Sequence, residues 1–141
     1  MTAPEDAPAV VLDTNVVLDW LVFRDVRMVP LALAIEGGRL RWLGSPRMRD
    51  ELAHVLGRAM FERWPHDPEQ VLTFIDSLVH TCDEPPACPL ICRDADDQVF
   101  IDLALARRAS WLFSRDKALL RLARQARLRG TLVCQPEDWT P

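Results

Sequence analysis

The sequence has no hydrophobic run long enough to cross a membrane and no basic residue at its start. A membrane-spanning helix needs about 20 consecutive apolar residues, and no stretch of the 141 residues approaches that length. The first eight residues include Glu5 and Asp6 but no lysine or arginine, whereas a secretory signal peptide begins with positive charge. We therefore expect a cytoplasmic protein that has no membrane partner.

Cysteine and histidine are sparse and lack the spacing of a zinc site. The four cysteines form no Cys-x-x-Cys pair, and the three histidines do not lie at ligand spacing from them. In a cytoplasmic protein of this size, we expect free thiols rather than disulfides. The cysteines are Cys82, Cys88, Cys92 and Cys134.

Lysine is almost absent, since Lys117 is the only one. The net charge of −4 and the pI of about 5.3 argue against a broadly basic nucleic-acid binder. They are compatible with an enzyme whose acidic site needs a metal ion and whose arginines act locally. Arginine can bind phosphate with two hydrogen bonds, although a GC-rich genome would produce the same bias.

The remaining composition is that of an ordinary globular protein, with 49% hydrophobic and 27% charged residues and no internal repeat. The length suits one domain spanning residues 1–141. Hydrophobic patterning predicts strands over residues 9–12, 39–43, 111–113 and 131–134. It predicts helices over residues 14–23, 29–35, 46–60, 68–79, 97–108 and 116–127, and leaves residues 82–96 irregular. This alternation predicts an α/β sandwich with a mainly parallel central sheet.

Acidic residues occupy equivalent places in this pattern. Asp13 ends the first strand and Asp116 follows the strand over 111–113, so both lie where sites form in parallel sheets. Asp97 begins a buried helix, and Glu51 lies at the edge of the inner face of another. Convergence of the four acids would make a metal-binding or catalytic cluster.

Each acid also has an ordinary structural interpretation. The three aspartates could be helix N-caps, the commonest role of aspartate at such positions. Glu51 could pair with Arg47 one helical turn away. Spacing alone leaves both interpretations open.

Four segments, in order along the chain, resemble the motifs of PIN domains. They are Val-Leu-Asp-Thr-Asn-Val at 11–16, the helix that carries Glu51, Asp-Ala-Asp-Asp at 94–97 and Phe-Ser-Arg-Asp at 113–116. The last segment has serine where the family usually has threonine, which keeps the hydroxyl. The ending Pro-Glu-Asp-Trp at 136–139 is also typical. The resemblance covers essentially the whole chain and implies a PIN-like three-layer α/β/α sandwich.

This resemblance implies a metal-dependent endoribonuclease that cleaves single-stranded RNA and leaves a 3′-hydroxyl and a 5′-phosphate. The similar branch contains toxin components of toxin–antitoxin systems. Its cofactor would be Mg²⁺ or Mn²⁺, bound through oxygen ligands. Its partners would be RNA and a co-encoded antitoxin protein, and a homodimer is compatible with the family.

The resemblance also implies the site residues. The metal-binding and catalytic acids would be Asp13, Glu51, Asp97 and Asp116. Asn15 and Ser114 would support them, and Asp94 and Asp96 are further candidates because the run at 94–97 aligns ambiguously. We expect Asp13 and Asp116 to be direct ligands, with Asp97 and Glu51 acting through water or at a second ion.

Contacts with substrate are less defined by the sequence. Arg93, next to the acidic run, is the candidate for RNA binding. Lys117, Arg121 and Arg124 form a helical stripe that could contact RNA or be a solvated face. Trp20 and Trp64 could stack on bases or pack in the core.

Other protein classes fit less well. A receiver domain needs an adjacent acid pair at the end of the first strand, and an aspartate-nucleophile phosphatase needs Asp-x-Asp where this chain has Asp13-Thr14-Asn15. A PIN fold retained as a non-catalytic RNA- or protein-binding module remains as the alternative. The presence of all four acids favours the enzyme.

Overall fold

The central sheet of the protein contains five strands that are all parallel. The computed structural model describes residues 3–58 and 66–141, and within these ranges the strand order is β3-β2-β1-β4-β5. The strands are β1 (Ala9–Leu12), β2 (Arg41–Gly44), β3 (His80–Thr81), β4 (Trp111–Phe113) and β5 (Leu132–Cys134). Val10 of β1 is in register with Trp42 of β2 and Trp111 of β4, so β1 lies at the centre. The predicted parallel sheet is confirmed.

Helices connect the strands and cover both faces of the sheet. They are α1 (Thr14–Leu21), α2 (Val29–Glu36), α3 (Pro46–Leu56), α4 (Pro68–Leu78), α5 (Gln98–Ala106), α6 (Lys117–Leu120) and α7 (Ala123–Arg127). Short 3₁₀ turns lie at Val26–Met28, Ala95–Asp97 and Pro136–Asp138. In the described part of the chain, no helix combines the length and apolarity that a membrane span requires.

Two hydrophobic cores lie on opposite faces of the sheet because side chains alternate along β1. Val10 and Leu12 are buried against α1, α2, α3 and α4. Val11 is buried against α5, α6 and α7. This arrangement is the three-layer α/β/α sandwich expected from the sequence.

The single helix predicted over residues 116–127 is wrong, because the structure contains the two short helices α6 and α7. The amide of Leu122 donates to the carbonyl of Leu119 at 2.9 Å, which tightens the chain between them. Both leucines are thereby buried in the same core. Strand β3 was not predicted, because two residues are too few for a periodic pattern. The helix predicted over 46–60 ends at Leu56, and residues 59 and 60 lie outside the described residues.

Trp20 packs in the first core. Its ring lies 5.4 Å from that of Trp42 and 5.8 Å, edge to face, from that of Phe74. The core interpretation of Trp20 therefore holds, while Trp64 lies outside the described residues. The four cysteines are free thiols, as predicted.

Candidate metal centre

Three carboxylates meet beyond the carboxyl ends of β1 and β4. One carboxylate oxygen from each of Asp94, Asp97 and Asp116 lies within 4.8 Å of the other two. These three residues, which we call the acid cluster, come from the turn before α5 and from the start of α6. The sequence left Asp94 as a further candidate, and the structure brings it together with two of the four expected acids.

Local hydrogen bonds fix two members of the acid cluster. Asp94 accepts from the backbone N–H of Asp96 at 3.0 Å and so caps the 3₁₀ turn. Asp116 accepts from the backbone N–H of Ala118 at 2.7 Å and caps α6. Asp97 precedes α5 but makes no capping hydrogen bond. The capping interpretation therefore describes Asp116 and fails for Asp97.

Asp13 lies beside the acid cluster and is only 3% exposed. Its Oδ1 accepts from the backbone N–H of Val16 at 2.9 Å, so Asp13 is also the N-cap of α1. Its Oδ2 accepts from the hydroxyl of Ser114. The same hydroxyl oxygen accepts from the backbone N–H of Asp116 at 2.9 Å. Ser114 therefore links the buried carboxylate of Asp13 to the backbone of Asp116 in the acid cluster.

The acids perturb one another. Burial raises the pKa of Asp97 to about 7, and repulsion from Asp116, Asp94 and Asp13 adds to this rise. Burial also raises the pKa of Asp13, while the hydrogen bonds from Ser114 and Val16 oppose the rise. Crowded carboxylates that resist ionisation are stabilised by a cation.

A cleft of about 240 Å³ extends from these acids to α3. Its polar lining includes Asp13, Asn15 and Asp97, together with Glu51 of α3 and Arg58 just after that helix. Glu51 is exposed and forms no ion pair with Arg47 within the described residues. The cleft thus brings together three of the four expected acids, while the acid cluster brings in the fourth, Asp116.

Arg58 is a site residue that sequence reasoning missed. Glu51, Val55 and Arg58 are separated by four and three residues, so one side of α3 and its following turn presents all three to the cleft. Because Arg58 is seven residues after Glu51, about two helical turns, the sequence could have indicated that both lie on the same side of the helix.

Two expected residues lie apart from this arrangement. Asp96 is exposed and is not part of the acid cluster, and only its backbone N–H contacts a cluster member, Asp94. Arg93 is exposed and makes no ion pair with any residue in the described ranges.

The comparison with family models identifies the fold family. The model of the PIN domain matches residues 9–118, more than three quarters of the chain. The chain belongs to the PIN domain family. The matched segment of this PIN domain contains Asp13, Glu51 and the whole acid cluster, and the resemblance noted in its motifs is confirmed.

A solved structure shows the same fold. A chain in the crystal structure of VapBC2 from Rickettsia felis, bound to a DNA fragment from their promoter, superposes with a TM-score of 0.59. The alignment covers 89% of the present chain and 96% of that chain at 15% sequence identity. No curated protein matches the sequence significantly.

A network of ion pairs around Arg115, next to the acid cluster, was not predicted from the sequence. Arg115, between Ser114 and Asp116, donates to Asp19 of α1 at 2.9 Å and to Glu137 at 2.7 Å. Glu137 lies in the C-terminal 3₁₀ turn, beyond the matched segment of the PIN domain. The network therefore ties the C-terminal turn to the strand end that carries the acids.

Proposed function

We propose that this PIN domain is a metal-dependent endoribonuclease that cleaves single-stranded RNA in the cytoplasm. The observation that carries the proposal is the acid cluster beside the buried Asp13, in a family whose members are generally nucleases. Residues 1–141 would act as a single domain. The expected product ends are a 3′-hydroxyl and a 5′-phosphate.

The donor set suits a hard divalent cation. Its members are all carboxylates, and oxygen ligands favour Mg²⁺ or Mn²⁺ over zinc. Asp94, Asp97 and Asp116 would hold the ion, with Asp13 beside them. A bound divalent ion lowers the pKa of a water molecule and neutralises charge on a phosphate.

The other residues of the site would hold the acids and the substrate in place. Ser114 fixes the carboxylate of Asp13 relative to the backbone of Asp116. Glu51 and Asn15, which also line the cleft, would orient the attacking water or the ribose next to the scissile phosphate. Arg58 on the cleft wall and the exposed Arg93 would contact neighbouring phosphates.

We further propose that the chain is the toxin of a toxin–antitoxin pair. The support is the fold shared with a chain of the VapBC2 structure together with the PIN family match. A co-encoded antitoxin would cover the acidic cleft, with an arginine placed among the carboxylates. A homodimer is compatible with this assembly. Expression of the chain alone should slow growth, and co-expression with its genomic neighbour should restore it.

The experiment for the nuclease is cleavage of a mixed single-stranded RNA pool by the purified chain, with mapping of the cut ends. Cleavage should require Mn²⁺ or Mg²⁺, stop in EDTA and fall by orders of magnitude in Asp13→Asn. EDTA-resistant cleavage that persists in Asp13→Asn would contradict the proposal. RNA binding without cleavage in any divalent metal would instead support the non-catalytic binding module.

A further inference from the structure

A second pocket, distant from the acid cluster, is lined by basic side chains. It has a volume of about 440 Å³ and lies at the β3 edge of the sheet, beside the end of α5. We call it the basic pocket and define it by Arg41, His80, Arg107 and Arg108. Among the described residues that line it there is no acid, although the chain as a whole carries a net charge of −4.

Two side-chain nitrogens of residues that line the basic pocket have no hydrogen-bond partner in the described part of the chain. Arg41 Nε and His80 Nε2 are buried and have no hydrogen-bond partner there. The three arginines also form no ion pair with any described residue. By contrast, Arg27, Arg49 and Arg115 each bind a carboxylate. Arg107 and Arg108 are exposed, so their guanidinium groups are accessible to an anion that enters the pocket.

The backbone conformation of Arg108 makes it a suitable position for a test of the pocket. Its φ is +52°, in the left-handed region just after α5. Glycine is the usual residue at this position because other side chains are strained there. An arginine therefore occupies a position that disfavours it, and its side chain lines the basic pocket.

We propose that the basic pocket binds a phosphate group of the RNA strand, away from the cleavage site. Arginine guanidinium groups match phosphate oxygens in geometry and charge. This inference rests on the proposed function, because RNA is the substrate assigned to the acid cluster. The basic pocket would hold the strand while the acid cluster cuts it.

The helix α5 sets the distance between the two sites. Asp97 precedes its first residue, and Arg107 and Arg108 follow its last residue. Nine helical residues span roughly 14 Å at about 1.5 Å per residue. Nucleotides along one strand of a duplex are about 3.4 Å apart and farther apart when the strand is extended. A strand that followed a path as short as α5 would need about four nucleotides at the duplex spacing, and fewer when extended.

The test compares two matched variants, Arg108→Gly and Arg24→Gly. Both remove one positive charge from a residue with a left-handed backbone, since φ is +53° at Arg24. Arg24 lies elsewhere, next to Asp25 and Glu36. Both variants should fold at least as well as the wild type because glycine suits the left-handed region. Only Arg108→Gly should weaken binding.

The measurement is the dissociation constant of a single-stranded RNA as a function of salt, in EDTA so that no cleavage occurs. In Arg108→Gly, affinity should fall several-fold, and the slope of log K against log salt should become shallower by about 0.7 for one lost phosphate contact. Arg24→Gly should keep the wild-type slope. Arg41→Gln should behave like Arg108→Gly. Because Arg41 lies in β2, this result would show that the loss of affinity comes from the pocket and not from a change in the turn at Arg108.

Three outcomes would overturn the inference: no loss of affinity in Arg108→Gly, an equal loss in both glycine variants, or pocket-dependent binding of inorganic phosphate without an effect on RNA. The last result would assign the pocket to a free anion. A wild type that binds RNA through this pocket but cleaves none would contradict the proposed nuclease and leave the pocket's role intact.

Discussion

The hydroxyl of Ser114 donates a hydrogen bond to the carboxylate of Asp13 and so joins the ends of the neighbouring strands β4 and β1. The hydroxyl oxygen also accepts from the backbone N–H of Asp116. One serine therefore sets the position of a buried acid relative to the acid cluster. Groups that orient metal ligands in this way affect activity without touching the metal.

Removal of this hydroxyl should impair the site more than the fold. We expect Ser114→Ala to lower Mn²⁺ affinity or cleavage rate by about 10- to 100-fold, the usual cost of losing such a supporting contact. Ser114→Thr should retain most activity, because it keeps the hydroxyl. Ser110→Ala, at the opposite end of β4, is the control. Equal effects at both serines would show that Ser114 has no special link to the site.

The raised pKa of Asp97 predicts a pH dependence of stability. The pKa of about 7 in the folded protein lies above the ordinary aspartate value of 3.8, so the folded protein binds this proton more tightly than the unfolded chain. Stability contributed by Asp97 is therefore lost as the pH rises from about 4 to about 7. Melting curves in EDTA across this range should show a smaller decline in Asp97→Asn than in the wild type. Parallel pH profiles of the two proteins would contradict the assignment.

Repulsion within the acid cluster predicts that Asp116→Asn stabilises the metal-free protein. The substitution removes a negative charge beside Asp97 and preserves the cap of α6, because asparagine caps about as well as aspartate. In EDTA at neutral pH, the Tm of the variant should exceed that of the wild type by a few degrees. In millimolar Mn²⁺ the wild type should gain more stability than the variant. An equal response to Mn²⁺ would show that Asp116 does not contribute to a metal site.

The Arg115 network should contribute more to stability than an exposed ion pair. Arg115 is 19% exposed and binds both Asp19 and Glu137, whereas Arg49 and Asp76 are each nearly half exposed. We expect Arg115→Ala to destabilise the fold by about 1.5–3 kcal/mol, the range for hydrogen bonds to charged groups. Arg49→Ala should cost about 1 kcal/mol or less. Denaturant unfolding measures both, and equal losses would argue against a structural role for the network.

The strong local patterns of the sequence predicted most of the fold. The apolar run at 9–12 and the motif that follows it place Asp13 at a strand end, where the structure has it. The break between α6 and α7 could not be predicted, because it depends on burying Leu119 and Leu122 in the same core. The spacing of apolar residues along the chain does not indicate which of them must share a core in the folded protein.

The site was predicted in outline and not in detail. Strand ends indicated Asp13 and Asp116. The 3₁₀ turn at Ala95–Asp97 brings Asp94 and Asp97 into the acid cluster and leaves Asp96 outside it, which the sequence did not indicate. The contacts of Arg115 span most of the chain, with Asp19 on one side and Glu137 on the other. Contacts between residues so far apart in sequence leave no local signal.

The most direct test of the metal-dependent nuclease is the rate of single-stranded RNA cleavage in Mn²⁺ by Asp97→Asn and Asp96→Asn. The two variants make the same change at adjacent positions, one within the acid cluster and one exposed outside it. We expect Asp97→Asn to lose activity by orders of magnitude and Asp96→Asn to remain close to the wild type. Equal rates in the two variants, or cleavage by the wild type that continues in EDTA, would contradict the account.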